Sequence, residues 1–113
     1  MTKYLISFPD GAMTFPEVDL PDVAEAAHAI IQEAKDAGVY VFGGGLDFAV
    51  KPVRVAEDGT VTNDTYPQTK DLGGGYTIIE VPTRLEALEW ARKIAFACRC
   101  AQELREFMYD PMS

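Results

Sequence analysis

His28 is the only histidine in this chain. Proton transfer near neutral pH would turn to it first, because imidazole titrates there without special help. Helical geometry puts it about 100° from the centre of the apolar stripe on its helix. The plain alternative is a boundary histidine with its ring half in solvent. Cys98 and Cys100 stand as C-x-C. With one histidine and no second cysteine pair, a structural zinc site lacks ligands, and the spacing is not that of a redox C-x-x-C. Two inert thiols near a helix end are expected, with no metal and no cofactor.

Two glycine runs, Gly43-Gly44-Gly45 and Gly73-Gly74-Gly75, invite a phosphate-loop reading. Neither fits the spacing of a phosphate-binding or dinucleotide-binding loop, and no helix follows directly to offer its N-terminus. Backbone room, for a bulge or a close strand approach, accounts for them better. Arg54, Tyr66, Lys70 and Tyr76 could line a pocket beside the central loop, the two cations holding a small anion such as a carboxylate. Against this stands a solvated hairpin with ordinary strand charges. Glu80 falls at a cavity-facing position of its strand. Burial there would raise its pKa and suit it to acid or base work, whereas an open strand end would leave it a surface group.

The elements that must position these residues follow from periodicity and punctuation. Lys3–Phe8 reads as a strand, stopped by Pro9-Asp10-Gly11. Pro21–Ala37 reads as a helix, with proline in its first turn, Val23, Ala27, Ile30, Ile31 and Ala34 on one face, and Gly38 as a left-handed cap. Val39–Leu46 and Val50–Ala56 read as strands, Asp58-Gly59 as a hairpin turn, and Thr60–Thr62 as its return. Gly75–Val81 is the next strand. Thr83 and Glu86 form a capping box for a second helix, whose stripe is Leu88, Ala91, Ile94, Ala95 and Cys98 with Trp90 on its flank. A last strand is expected over Ala101–Phe107. With the central hairpin treated as an excursion the order is βαββαβ, an α+β ferredoxin-like unit.

The length, 113 residues, is that of one domain. A net charge of −8 argues against nucleic acid and against an anionic membrane surface. No export signal is evident in Met1-Thr2-Lys3 and the short apolar run after it, and no run approaches a membrane span. A cytoplasmic protein with reduced thiols is expected.

Alternation along the strands carries a further implication. Tyr76 and Ile78 point one way and Ile79 and Val81 the other, and Tyr4, Ile6 and Phe8 oppose Leu5. Two helices can dry one face. The other would expose several large side chains, each worth about 1.5–3 kcal/mol when buried. Two copies are therefore expected to pack sheet to sheet about a two-fold axis as a homodimer.

Val61-Thr62-Asn63-Asp64-Thr65-Tyr66-Pro67-Gln68-Thr69-Lys70-Asp71 resembles the stretch V-T-D-G-P-F-x-E-T-K-E of a known family. Gly74–Val81 resembles its G-G-[YF]-x-[IL]-I-E-V, Glu86–Ala91 its E-A-L-E-W-A, and Glu103-Leu104-Arg105 its E-V-R. This is the YCII-related family, in the branch named for the D-G-P-F motif. The resemblance spans nearly the whole chain, and its specificity lies in the order and spacing of the motifs. Asn63-Asp64-Thr65-Tyr66 keeps only the aromatic of D-G-P-F. Ala95 replaces the proline that usually ends the second helix, so that helix is expected to run on through Cys98. The resemblance implies a dimeric α/β barrel of two ferredoxin-like units, each with a cleft between its sheet and neighbouring loops. It also implies a His–Asp pair: His28, ten residues before Gly38, roughly matches the helix-one histidine of the wider family, and Asp47, where this chain replaces a proline-containing segment after the first glycine run, is the aspartate expected to partner it. The expected function is binding of a small organic ligand in that cleft. An isomerase or lyase acting through His28 and Asp47 on a small aromatic or lactone-like molecule is the alternative, as is a regulatory dimer linked to sigma-factor systems.

Overall fold

The computed structural model describes residues 1–113. Its main sheet has four antiparallel strands: β1 (Thr2–Phe8), β2 (Tyr40–Gly45), β5 (Gly75–Val81) and β6 (Glu103–Glu106), in the order β2-β5-β1-β6. A separate ribbon pairs β3 (Arg54–Val55) with β4 (Val61–Thr62). Two helices, α1 (Leu20–Asp36) and α2 (Arg84–Cys98), complete the chain. With the ribbon set aside this is the ferredoxin-like arrangement, and the fold class is α+β as expected. No helix is long and apolar enough to cross a membrane.

β1 is the axis of the sheet. It pairs with β5 from Thr2 opposite Val81 to Phe8 opposite Gly75, and with β6 from Tyr4 opposite Glu106 to Ser7 opposite Glu103. The period of two then sorts the side chains. Tyr4, Ile6, Ile79 and Val81 meet Ala87 and Ala91 of α2 in one buried cluster, joined by Leu104, Val39, Trp90 and Ile94. Alanines on the helix let it settle close to large strand side chains, which is how a small domain reaches interior packing density.

Helix ends obey local rules. Pro21 lies in the first turn of α1. Beyond its end the Val39 N–H donates to Ala34 O (3.1 Å) and the Gly38 N–H to Lys35 O (3.0 Å), with Gly38 at φ +74°. That is a Schellman closure, which a residue with a Cβ adopts only at a cost. α2 starts at Thr83, whose hydroxyl accepts the Glu86 N–H at 3.2 Å. The Glu86 carboxylate makes no return bond, so half of the expected capping box forms. α2 runs to Cys98, the extension expected from Ala95.

Three sequence expectations need correction. The stripe of α2 is turned toward Ala87, leaving Leu88 37% exposed, because the helix meets the sheet through its smallest residues. The strand expected over Val50–Ala56 shrinks to Arg54–Val55, since no sheet neighbour pairs the remainder and Pro52 brings no N–H to a ladder. The last strand is confined to Glu103–Glu106, the part facing β1.

The molecule is a slab of 44 × 43 × 19 Å, with a radius of gyration of 15.7 Å against about 13 Å for a compact domain of this length. The second face of the main sheet carries no helix. Leu5, Ile78, Val41 and Phe42 lie on it, Phe42 at 66% exposure. A bulge between Tyr40 and Phe42 puts Tyr40 opposite Ile79 on the helix side while Phe42 stands opposite Ile78.

Candidate functional site

The helix-free face has a cleft at each end. The first, about 410 Å³, opens where β1 ends and β5 begins. Its apolar walls are Leu5, Phe8 and Leu72, and its polar groups come from Ser7, Asp71, Tyr76, Glu103 and Arg105. Ser7, at 6% exposure, is the one buried polar side chain in the protein.

Strand register assembles this site. Ser7 stands opposite Tyr76 on one side and Glu103 on the other, while Leu5 stands opposite Arg105. Paired residues share a face, so Ser7, Tyr76, Leu5, Glu103 and Arg105 emerge together on the side away from the helices. The wall of residues 68–72 is fastened by backbone bonds. The Asp10 N–H donates to Asp71 O (3.0 Å), and the Gly74 N–H donates to Leu72 O (2.7 Å). Gly74 allows that turn to press on β1. A Cβ there would lie 1.7 Å from the Phe8 carbonyl oxygen, so any larger residue would push the wall outward. The glycine run is thus used for close strand approach, as its composition suggested.

The Tyr76 hydroxyl donates to Leu72 O at 2.6 Å. With its proton committed, its lone pairs are left to accept from a ligand. Burial pushes the phenol above its ordinary pKa, partly offset by the Arg105 guanidinium, so Tyr76 is neutral at physiological pH. Arg105 lies 3.3 Å from Glu103 in an exposed pair, a weak contact that a ligand could exchange.

The second cleft, about 870 Å³, lies at the opposite end of the same face. Val41 and Ile78 form its floor, and Phe107, Met108 and Tyr109 of the C-terminal tail run beside it. Glu80 lines it and pairs with Lys3 at 3.3 Å.

The other candidate residues are dispersed. His28 is exposed on α1, and Asp47 is exposed after β2, where its Oδ1 accepts the Ala49 N–H at 3.0 Å. The two make no hydrogen bond or ion pair with each other. Arg54 and Tyr66 do come together, away from the cleft. Arg54 pairs with Asp64 at 3.1 Å and lies over the Tyr66 ring at 5.5 Å, and the Thr62 hydroxyl donates to Asp64 at 2.5 Å. Lys70 is exposed. A pocket beside the central loop exists, but Gln68, Asp71 and Leu72 represent the loop in it. Ser7 and Arg105 were missed. The available signal was the alternation that set Glu103 and Arg105 opposite Leu104. Cys98 and Cys100 are free thiols at the end of α2, both pushed up in pKa by burial.

Against known families, the sequence matches the model of the YCII-related domain over residues 9–108. A search of curated proteins finds no match. Among solved structures, the chain is similar to 5-chloro-2-hydroxyhydroquinone dehydrochlorinase (TftG) from Burkholderia phenoliruptrix AC1100, in complex with 2,5-dihydroxybenzoquinone. The TM-score is 0.53 at 16% identity, with 97% of each chain covered.

Proposed function

This chain belongs to the YCII-related family, and from that premise we propose that it binds a one-ring, oxygen-bearing organic molecule in the cleft beside Tyr76, as a homodimer whose helix-free sheet faces meet. The observation that carries this reading is the cleft itself: the protein's one buried polar side chain, Ser7, shares it with Tyr76, Arg105 and an apolar wall. A small-molecule site has this character, mostly apolar with a few converging polar groups. Its volume of about 410 Å³ suits a single ring with substituents.

The polar groups narrow the class further. Tyr76, Asp71 and Glu103 offer acceptors, Arg105 offers donors and Ser7 offers either. Ligand hydroxyls would face the first set and a carbonyl or phenolate oxygen the guanidinium. The relative of the same fold is in complex with 2,5-dihydroxybenzoquinone, a ring carrying both kinds of oxygen. Binding is favoured over proton-transfer chemistry because His28 and Asp47 are both exposed, line neither cleft, and share no hydrogen bond or ion pair. The two free thiols suit a reducing compartment, in keeping with a cytoplasmic protein.

The test is an NMR titration with 2,5-dihydroxybenzoquinone and with simple one-ring phenols. Shifts are expected at Ser7, Tyr76 and Arg105. Arg105→Met should weaken binding by about tenfold or more, since a hydrogen bond to a charged group contributes about 1.5–3 kcal/mol. Shifts confined to Lys3 and Glu80 would move the site to the other end of the sheet, and none at all would end the binding reading.

A further inference from the structure

The ribbon of β3 and β4 is the least self-sufficient part of this chain. Each strand has two residues, Arg54 opposite Thr62 and Val55 opposite Val61. It packs substantially on no other strand or helix. An isolated two-stranded ribbon is marginal in water even when longer. Its surroundings are apolar nonetheless: Phe48, Val50, Val53, Val55 and Val61 are all more than half exposed. Single exposed apolar residues are ordinary. Val55 and Val61 stand opposite each other on the ribbon, and Phe48, Val50 and Val53 lie in the segment that leads into it, so this arm carries apolar surface awaiting cover.

Area indicates what covers it. The chain exposes 8280 Å², against about 6,100 Å² for a compact monomer of its 12.4 kDa. The excess is about 2,100 Å² per chain. The helix-free sheet face is too small to absorb it. Four strands of up to seven residues cover about 440 Å² in plan, and even about twice that, for side-chain relief, leaves more than half unclaimed. Two copies together carry about 4,200 Å² of excess, which lies within the roughly 2,000–5,000 Å² that obligate dimers bury. An isologous pair consumes that surface on both copies at once.

We infer that the arm of residues 46–72 clasps a second copy of this chain, extending the sheet-face interface, and that the cleft beside Tyr76 is complete only when the arm is docked. This rests on the dimer reading above and adds the arm to it. The link to the cleft is covalent and short. The arm departs at Leu46, whose N–H donates to Gly74 O at 2.9 Å, and its returning limb contributes Gln68, Asp71 and Leu72 to the cleft wall. The wall is bonded at Asp71 and Leu72 whether or not the arm is docked, so the part that depends on the arm is its Gln68 end. Docking and ligand binding therefore favour each other, the reciprocity that any coupling of two equilibria requires.

Sedimentation equilibrium over a dilution series tests this with four forms of the full chain: wild type, Val55→Glu/Val61→Glu, Ile78→Glu and Leu85→Glu. Leu85 is 76% exposed at the start of α2 and serves as the control. The ribbon variant should raise the dimer Kd at least tenfold and weaken 2,5-dihydroxybenzoquinone binding at protein concentrations where the wild type is dimeric. The control should change neither. A ribbon variant with the wild-type Kd, beside an Ile78→Glu that dissociates, overturns the arm and leaves the sheet-face dimer standing. A folded wild-type monomer at micromolar concentration overturns both. Hydrogen exchange in the wild type guards against a variant that does not fold. The Ala56 amide, which donates to Thr60 O at 2.8 Å, should lose protection on dilution in step with dissociation, and concentration-independent exchange there also overturns the arm.

Discussion

Ile78 and Ile79 are adjacent in β5 and chemically identical, yet their environments have little in common. Ile79 is fully buried beneath Ala87 and Ala91 of α2. Ile78 is only partly buried, on the helix-free side beside Val41 and the second cleft. The same division holds in β1, where Tyr4 and Ile6 belong to the core while Leu5 and Ser7 face the first cleft. One face of the sheet is a finished interior. The other keeps apolar side chains, ion pairs and both clefts within reach of solvent. Stability is concentrated on the first face and binding capacity on the second, because a surface already satisfied by its own helices has nothing left to offer a ligand or a partner.

Substitutions can break that contrast. Ile79→Ala should cost about 2–5 kcal/mol, the range for a large-to-small change in a packed core, read from urea unfolding. Ile78→Ala should cost about 1 kcal/mol or less in dilute protein; on the proposed homodimer the loss should grow as concentration rises, because a face covered by a second copy is stabilised by mass action. Equal losses at all concentrations would mean that the two faces are not as different as they look.

Thr83→Ala sharpens the comparison from the helix side. It removes the acceptor for the Glu86 N–H and should cost about 1 kcal/mol, with no effect on ligand affinity, since α2 lies on the opposite face from the clefts. The smallest effect concerns pH. Burial, and then the neighbouring Cys100, raise the Cys98 thiol above its ordinary 9.0. A raised folded-state pKa adds stability that is complete below the unfolded value and is lost as pH climbs through the folded one. Unfolding free energy should therefore decline above about pH 9, and Cys98→Ala should flatten part of that decline.

The fold was largely legible because its signals are local. Gly75–Val81 was read with the bounds the structure shows, its ends marked by glycine and proline. Gly38 closes α1 for a reason internal to the six residues from Ala34 to Val39. Reading weakened where a partner decides. Val50–Ala56 has the composition of a strand, but only Arg54 and Val55 find a neighbour. Leu88 is the more apolar choice for a helix stripe, yet Ala87 is the residue the sheet can accommodate. At the candidate site Tyr76 was found and Arg105 was not, since a charged residue in a short edge strand looks the same in sequence whether it faces water or a cleft.

By itself, then, the chain's order of residues determined its caps, its turns, the alternation of each strand and the presence of two apolar sheet faces, all of which depend on neighbours within a few positions. Which face the helices would dry was decided only by their packing. So was the meeting of Ser7, Tyr76 and Arg105, drawn from both ends and the middle of the chain. Strand pairing across such separations depends on which register buries the most apolar surface, and that choice is made by the assembled sheet as a whole.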